Sequence, residues 1–201
     1  MYAIYLKRII DVTVSIAVLI ILLPIFVAII IVLSINNNGK IFFIQERTGK
    51  NCQPFKIIKF KTMTDFVNNA QNMIPDSMRI TKTGKFLRRF SMDELPQLIN
   101  VVAGRMSLIG PRPLPVDYLP MYSETQQRRH SIRPGITGWA QVNGRNLLTW
   151  EEKFKLDVWY VDNICFTLDI KILMRTIKSV ISQKGVYYGK EPTIGRFNGV
   201  N

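Results

Sequence analysis

The sequence has few of the residues that build disulfides, metal centres or redox sites. Its 201 residues include two cysteines and one histidine. Cys52 and Cys165 show neither metal-ligand nor redox spacing, and two cysteines alone do not predict a disulfide. We therefore expect ordinary thiols in a reducing compartment. His130 follows two arginines, and we expect a surface residue rather than a catalytic base.

Common signatures of nucleotide binding are also missing. The sequence contains no P-loop, no G-x-G-x-x-G, no zinc-ligand spacing and no internal repeat. These absences argue against the P-loop, dinucleotide-binding, zinc-finger and solenoid classes. The length suits one globular domain with an appendage.

Acidic residues are scarce relative to basic ones. There are 27 Lys and Arg against 14 Asp and Glu, a net charge of +13, and residues 36–90 hold 11 basic and 3 acidic side chains. Such a field attracts nucleic acid, anionic lipid headgroups or small polyanions such as nucleoside diphosphates. A neighbouring hydrophobic anchor favours the last two.

Charge is absent from residues 12–35, an apolar run of 24 positions. Pro24 interrupts this run and cannot donate to the carbonyl of Ile20, which predicts a kink. Each half spans only about 18 Å of a hydrocarbon core about 30 Å thick. Basic residues on both flanks, Lys7 and Lys40 among them, favour a re-entrant hairpin with both ends in the cytoplasm. A kinked helix that spans the membrane remains an equal alternative, whereas a cleaved signal peptide is not expected.

An adjacent acid pair, Asp93 and Glu94, stands directly behind a basic run. Pro96 is tolerated in the first turn of a helix, which predicts a helix start near residues 91–93. The acid pair would then lie at a helix N-terminus, which also favours phosphate and calls for a cation. The structural alternative is a capping box between Ser91 and Glu94. The basic run consists of Lys82, Lys85, Arg88 and Arg89.

The remaining segments predict a mixed domain. Residues 40–63 alternate between apolar and polar side chains, which predicts a two-stranded hairpin. We also expect a short strand at residues 106–109 and helices at residues 64–78 and 117–131. Residues 147–161 and 168–184 carry apolar residues at helical spacing, typical of core helices or of helices in the membrane interface. Residues 186–201 look like a loose tail.

Two further segments are candidates for ligand binding. Prolines on both sides of Arg112 restrict the backbone and present a guanidinium fork suited to phosphate, although a plain rigid turn explains them equally well. Residues 133–146 form a glycine-rich loop in which three polar side chains are candidates to read a nucleotide. These are Gln141, Asn143 and Arg145.

Several of these stretches together resemble the bacterial monotopic phosphoglycosyl transferases. They are the anchor with Pro24, KFKTM at 59–63, SMDELPQLINVVAG at 91–104, MSLIGPRP at 106–113 and RPGITGWAQVNGR at 133–145. The resemblance covers nearly the whole chain and fits a small member with only the catalytic core. One departure is Leu23, where the family often has serine before the proline that breaks the helix.

This resemblance implies an α/β (α+β) catalytic domain with an N-terminal re-entrant membrane hairpin and interfacial amphipathic helices. The implied division is a membrane-inserted segment at 1–35, a catalytic domain at 36–185 and a tail at 186–201. The implied location is the cytoplasmic face of the bacterial inner membrane. Inner-membrane lipids are the expected surroundings, downstream glycosyltransferases are candidate contacts, and no nucleic acid is expected.

The implied reaction moves a phosphosugar from a UDP-sugar to polyprenol phosphate and releases UMP, the first membrane step of glycoconjugate synthesis. Asp93 would be the nucleophile, and Glu94 would bind Mg²⁺. Neutralisation of the diphosphate would fall to four cations. These are Lys59, Arg88, Arg112 and Arg145.

Two alternatives stay open. One is direct transfer in a ternary complex, with Asp93 only a metal ligand. The other is a non-catalytic membrane-tethered module that binds anionic lipid or nucleic acid, although it leaves the acid pair unexplained. Small family members often use N-acetylated amino sugars, so the resemblance only weakly favours a UDP-sugar of that class as the donor.

Overall fold

The computed structural model describes residues 2–65, 76–144, 147–182 and 195–199. Across these residues the chain forms helices and two small two-stranded sheets, as expected for a mixed domain. The helices are α1 Lys7–Ile21, α2 Leu23–Asn36, α3 Asp76–Arg79, α4 Lys82–Arg89, α5 Gln97–Val102, α6 Glu124–Gln127, α7 Trp139–Val142, α8 Trp150–Asp162 and α9 Phe166–Ser182. The strands are β1 Phe42–Thr48, β2 Pro54–Phe60, β3 Ser107–Ile109 and β4 Gly135–Thr137.

The apolar N-terminal run forms two helices rather than one. α1 and α2 meet at Leu22 with a bend of 64°, and Pro24 lies in the first turn of α2. This agrees with the interruption expected from a proline that cannot donate to Ile20. Within the described ranges no single helix is both long and apolar enough to cross a membrane; α1 and α2 reach that length and composition only as a bent pair.

The predicted hairpin of residues 40–63 is confirmed. β1 and β2 pair antiparallel, with Phe43 opposite Lys59. The Asn100 side chain fastens α5 to β2, because it accepts from the Ile58 main-chain N–H at 3.1 Å and donates to the Lys56 carbonyl at 2.8 Å. α5 begins just after the acid pair, so this link holds the pair beside Lys59.

The predicted strand at residues 106–109 is also confirmed, and it pairs in parallel with β4. Gly135 must be glycine, because a Cβ there would lie 2.1 Å from the Gly110 nitrogen. The close backbone approach brings residues 133–144 against the segment that carries Arg112.

A buried polar network joins α1 to the domain. Lys7 Nζ lies 2.7 Å from Asp169 Oδ2 in α9, and the Tyr160 hydroxyl donates to Asp169 Oδ1 at 2.6 Å. Asp11 accepts from the Ser107 hydroxyl at 2.6 Å and from the Leu108 N–H at 3.2 Å, both in β3. The helix pair is therefore built into the domain rather than appended to it.

The two amphipathic helices differ in where their apolar faces lie. α8 buries Phe154 and Val158, and Phe154 joins an aromatic cluster with Tyr118 and Tyr122. Phe197 belongs to the same cluster and is 4% exposed, so this part of the predicted tail is packed. α9 buries Leu168 and Ile172, but most of the predicted apolar positions are exposed. These are Ile170, Leu173, Met174, Ile177 and Ile181.

The continuous helix predicted over residues 117–131 is wrong. The chain forms a 3₁₀ helix Val116–Met121, the short α6 and another 3₁₀ turn, Arg128–His130. The break has a local cause, since Pro120 lies within the first segment and Ser123 starts α6 with its own capping box. The surface position predicted for His130 is also wrong, because its ring packs on Tyr122 and is 5% exposed. Most of the helix predicted at 64–78 lies outside the described residues.

Candidate active site

The acid pair lies in a cavity of about 890 Å³. The cavity is bounded by α1, β1, β2, α5, α8 and α9, and six of the predicted site residues line it. They are Lys59, Arg88, Asp93, Glu94, Arg112 and Gln141. Residues far apart in the sequence thus meet at one site.

The backbone around the acid pair differs from the expected helix start. Ser91 has a left-handed conformation, with φ of 54°, and Met92–Glu94 form a 3₁₀ turn before α5 begins at Gln97. The Ser91 side chain caps no N–H, because an N-cap needs extended rather than left-handed backbone. The capping box is therefore not formed. A left-handed non-glycine residue costs on the order of 1–2 kcal/mol and often marks a functional turn.

Glu94 is the anchored member of the pair. Its Oε1 accepts from Lys59 Nζ at 2.6 Å and from Arg112 Nη2 at 3.0 Å. Burial acts to raise the pKa of Glu94, but the charges and hydrogen bonds of Lys59 and Arg112 outweigh it and hold the pKa well below its usual range. Glu94 is therefore a carboxylate at neutral pH.

Asp93 is the unanchored member. Within the described residues its carboxylate has no hydrogen-bond partner, which leaves its oxygens available to a ligand. Burial, followed by the neighbouring charge of Glu94, raises its pKa, while Lys59, Arg88 and Arg112 oppose the rise. Adjacent carboxylates with pKa values driven in opposite directions are typical of catalytic pairs.

Arg88 is held from the last turn of α4 toward the acid pair. Its Nε donates to the Thr62 hydroxyl at 2.9 Å, and Nη2 lies 3.0 Å from Met63 Sδ. α4 itself sits tightly on this segment, since a Cβ at Gly84 would lie 2.1 Å from the Thr62 carbonyl oxygen. The cation is thus placed by the KFKTM segment of the sequence.

A second arginine, which the sequence analysis missed, fixes Arg112. Arg129 Nη2 donates to the Arg112 carbonyl at 2.8 Å and pairs with Asp157 Oδ2 at 2.7 Å. Arg129, Asp157 and the nearby Lys153 line the same cavity. Asp157 lies between Phe154 and Val158 on the buried face of α8. A charged residue on an otherwise apolar helical face indicates a buried partner, and this pattern in the sequence could have identified Asp157.

The predicted nucleotide-reading residues are placed differently from one another. Gln141 lines the cavity and donates to the Ile136 carbonyl at 2.9 Å. Asn143 is exposed and outside that lining; it donates to Trp139 and accepts from Arg175 Nη1 at 2.7 Å. Arg145 lies outside the described residues. Binding of a nucleotide by these three residues stays a prediction.

The two carboxylates could bind a magnesium ion only if a bound substrate supplied further oxygen ligands. In the part of the chain that the structure describes, no group of three or more His, Cys, Asp or Glu forms a metal site. Mg²⁺ usually takes one or two carboxylates and completes its shell with water and phosphate oxygens. Both bonds of Glu94 go to Oε1, so Oε2 remains for a cation. The donor set therefore suits Mg²⁺ carried with a diphosphate.

The arrangement has the parts that phosphoryl transfer needs. One carboxylate is unengaged, a second is fixed as an anion, and several cations face the same space. Positioning and charge neutralisation are most of what such transfer requires from a protein.

Comparison with known proteins agrees with this geometry. The family model described as bacterial sugar transferase matches residues 2–183. The uncharacterized sugar transferase EpsL of Bacillus subtilis (strain 168) is 50% identical over 194 residues, 96% of each chain. The galactosyl transferase CpsE of Streptococcus agalactiae is 41% identical over 89% of this chain and 43% of its own.

A third relative carries a more specific name. The UDP-glucose:undecaprenyl-phosphate glucose-1-phosphate transferase of Escherichia coli (strain K12) is 35% identical over 192 residues. That match spans 90% of this chain and 41% of the relative. The family match over nearly the whole chain and the 50% identity to a relative of the same length lead to one conclusion: this protein is an enzyme of the bacterial sugar transferase family.

Proposed function

We propose that this enzyme transfers a phosphosugar from a UDP-sugar to polyprenol phosphate through a covalent intermediate on Asp93. The observation that carries the proposal is the unengaged Asp93 carboxylate beside an anchored Glu94 in a cationic cavity. Relatives named as UDP-glucose:undecaprenyl-phosphate glucose-1-phosphate transferases support the substrate classes.

The reaction balances in two displacements. An Asp93 carboxylate oxygen attacks the phosphorus that bears the sugar, the bond from that phosphorus to the bridging oxygen breaks, and UMP leaves with that oxygen. A phosphate oxygen of polyprenol phosphate then attacks the same phosphorus. The bond to Asp93 breaks, which restores the carboxylate and gives a polyprenyl diphosphate sugar.

The other residues of the cavity act on charge and position. Lys59 and Arg112 already neutralise Glu94 and lie close enough to share a diphosphate, while Arg88 adds a third cation near Asp93. Glu94 and the substrate phosphates would hold Mg²⁺, which would supply Lewis-acid stabilisation of the charge that develops on the departing UMP.

The membrane arrangement is part of the same proposal. A polyprenol acceptor requires an enzyme at the bilayer, and we infer that α1 and α2 enter the cytoplasmic leaflet and return. Both ends of the pair are bonded to one domain, through Lys7 to Asp169 and through Asn37 Nδ2 to the Lys61 carbonyl at 3.0 Å. Two ends held by one folded unit lie on one side of a membrane, which favours re-entry over spanning.

A half-reaction tests the covalent step. The enzyme is given Mg²⁺ and each of UDP-glucose, UDP-galactose and UDP-N-acetylated sugars, without polyprenol phosphate. We expect UMP release up to the amount of enzyme, and a phosphosugar mass on the rapidly acidified protein that Asp93→Asn lacks.

The same assay separates the alternatives. Robust turnover with undecaprenyl phosphate but neither a lipid-free burst nor an adduct would replace the covalent step with direct ternary transfer. No UMP release under any condition would favour a non-catalytic module that binds anionic lipid through its basic surface.

A further inference from the structure

The cavity that holds Asp93 also has an apolar lining that phosphate chemistry does not explain. In addition to the cations, aliphatic side chains of α1 and α9 line it, with others from α5, β3 and β4. We call the four helical residues the apolar wall: Val14, Val18, Leu173 and Val180.

The residues of the apolar wall share one face on each helix. Val14 and Val18 are four residues apart on α1, while Leu173, Thr176 and Val180 follow helical spacing on α9. The Thr176 hydroxyl is engaged with the Thr137 hydroxyl at 2.7 Å and the Ile172 carbonyl at 2.9 Å. The apolar wall therefore offers a ligand hydrocarbon contact.

The buried polar network fixes the spacing of the two helices. Lys7 near the start of α1 is paired with Asp169 near the start of α9. Asp11 binds β3, and Leu108 of that strand lines the cavity between the helices. The apolar wall is thus held by buried bonds, as expected of a preformed site.

Resting on the proposed function, we propose that the isoprenoid units next to the acceptor phosphate lie against the apolar wall between α1 and α9. A UDP-sugar is polar along its length and would leave hydroxyls unpaired against these side chains. A polyprenol phosphate matches the cavity better, because its anionic head would meet the cations near Asp93 and its hydrocarbon chain would meet the apolar wall.

The surroundings of the apolar wall favour the same occupant. α9 also exposes Ile170, Met174, Ile177 and Ile181 outside the cavity lining. An apolar surface of this kind on a sugar transferase suits contact with lipid. A chain that leaves the cavity would then enter hydrocarbon without crossing water.

A pair of neighbouring substitutions tests this assignment. Leu173→Trp places an indole into the path of the chain, whereas Met174→Trp adds the same side chain to α9 at a residue that is 62% exposed and outside the lining. For Leu173→Trp we expect the KM for undecaprenyl phosphate to rise at least about tenfold and the KM for the UDP-sugar by less than about twofold. Met174→Trp should change neither by more than about twofold.

Direct binding makes the test independent of turnover. Native mass spectrometry in detergent would measure undecaprenyl phosphate bound to the wild type and to both variants, and Leu173→Trp alone should lose it. Equal binding by both variants, equal rises in acceptor KM, or an equal rise in donor KM for Leu173→Trp would overturn the assignment. Failure of wild type to release UMP would refute the proposed function, while the binding comparison would still decide the acceptor path.

Discussion

Arg129 donates a hydrogen bond of 2.8 Å from Nη2 to the main-chain carbonyl oxygen of Arg112. The same guanidinium is paired with Asp157, and both side chains of that pair are almost fully buried. Arg112 in turn donates to Glu94. A buried ion pair thus fixes the main chain from which a cation of the candidate active site projects.

We expect Arg129→Lys to lower transfer about ten- to a hundredfold, mainly through a higher KM for the UDP-sugar. Lysine keeps a charge opposite Asp157 but lacks the planar fork that also reaches the Arg112 carbonyl. Steady-state kinetics and thermal unfolding of the same samples would measure the two effects. Arg128→Lys is the control, because Arg128 is paired with Asp162 at the surface. Equal kinetic losses in both variants would contradict a positioning role.

Asp93→Asn and Glu94→Gln should shift stability in opposite directions. The raised pKa of Asp93 means that its ionised form destabilises the native state above that pKa, so Asn should raise the melting temperature at pH 7.5. The lowered pKa of Glu94 contributes stability above its unfolded value that is lost as pH falls. Gln removes this contribution and leaves Lys59 and Arg112 together, at a cost of at least about 1 kcal/mol.

Calorimetry would measure the melting temperatures of both variants and of the wild type. The buffer should contain EDTA, because a bound metal ion would change the stability contributed by the two carboxylates. Shifts of the same sign would show that the two carboxylates do not differ as inferred. Both variants should also lose at least about a hundredfold in transfer, and activity above about a tenth of wild type would remove the assigned role.

His130 should make the protein less stable in mild acid. Burial, followed by the charge of Arg129, lowers its pKa from the ordinary value of 6.5 to about 3. Between these values the unfolded chain binds a proton that the native state does not, so stability falls as pH falls through that window. The contribution approaches about 1.4 kcal/mol per pH unit.

Denaturant unfolding between pH 6.5 and 5 would measure this slope in wild type and in His130→Phe. Phenylalanine keeps a ring against Tyr122 and removes the proton, so the variant should show a flatter profile. The chain has no other histidine. The same slope in both proteins would show that His130 does not titrate as inferred.

Both ends of the α1–α2 pair should be reachable from the same side of the membrane. Lys7 is a poor label site because its side chain is buried, so the labels are single cysteines at Tyr5 and Asn38, with Cys52 and Cys165 replaced by serine. A membrane-impermeant maleimide should label both sites only after permeabilisation of the inner membrane. A cysteine at exposed Lys155 in α8 reports the side of the domain. Labelling of one end alone in intact cells would show a spanning helix.

The sequence predicted the parts of the site that local pattern encodes. The hairpin that carries Lys59 was predicted from alternation and is confirmed. The acid pair was singled out from its local sequence and the cations at 59, 88 and 112 from the family resemblance; these residues line one cavity, and their catalytic roles stay a prediction. The α-helix start predicted near residues 91–93 was wrong, because nothing in an S-x-x-E pattern indicates that Ser91 is left-handed. That conformation depends on tertiary contacts that hold α4 and α5.

Long-range partners were the main omission. Arg129 and Asp157 lie on different elements, and their pairing follows from packing rather than from either local sequence. Likewise, the period of α9 predicted an apolar face but not whether protein or solvent would cover it. For His130 the error was in the other direction: its arginine neighbours in the sequence predicted a surface position, but its side chain is buried.

The pairing of Lys7 with Asp169 has a consequence for how the enzyme is made. The two residues are separated by most of the chain, so α1 must wait until α9 has been synthesised before either charge finds its partner. A water-soluble fragment lacking the first helix would leave the carboxylate of Asp169 buried without its lysine, a loss of about 3–5 kcal/mol. The α1–α2 pair and the rest of the described fold are accordingly expected to mature as one cooperative unit, neither of them alone.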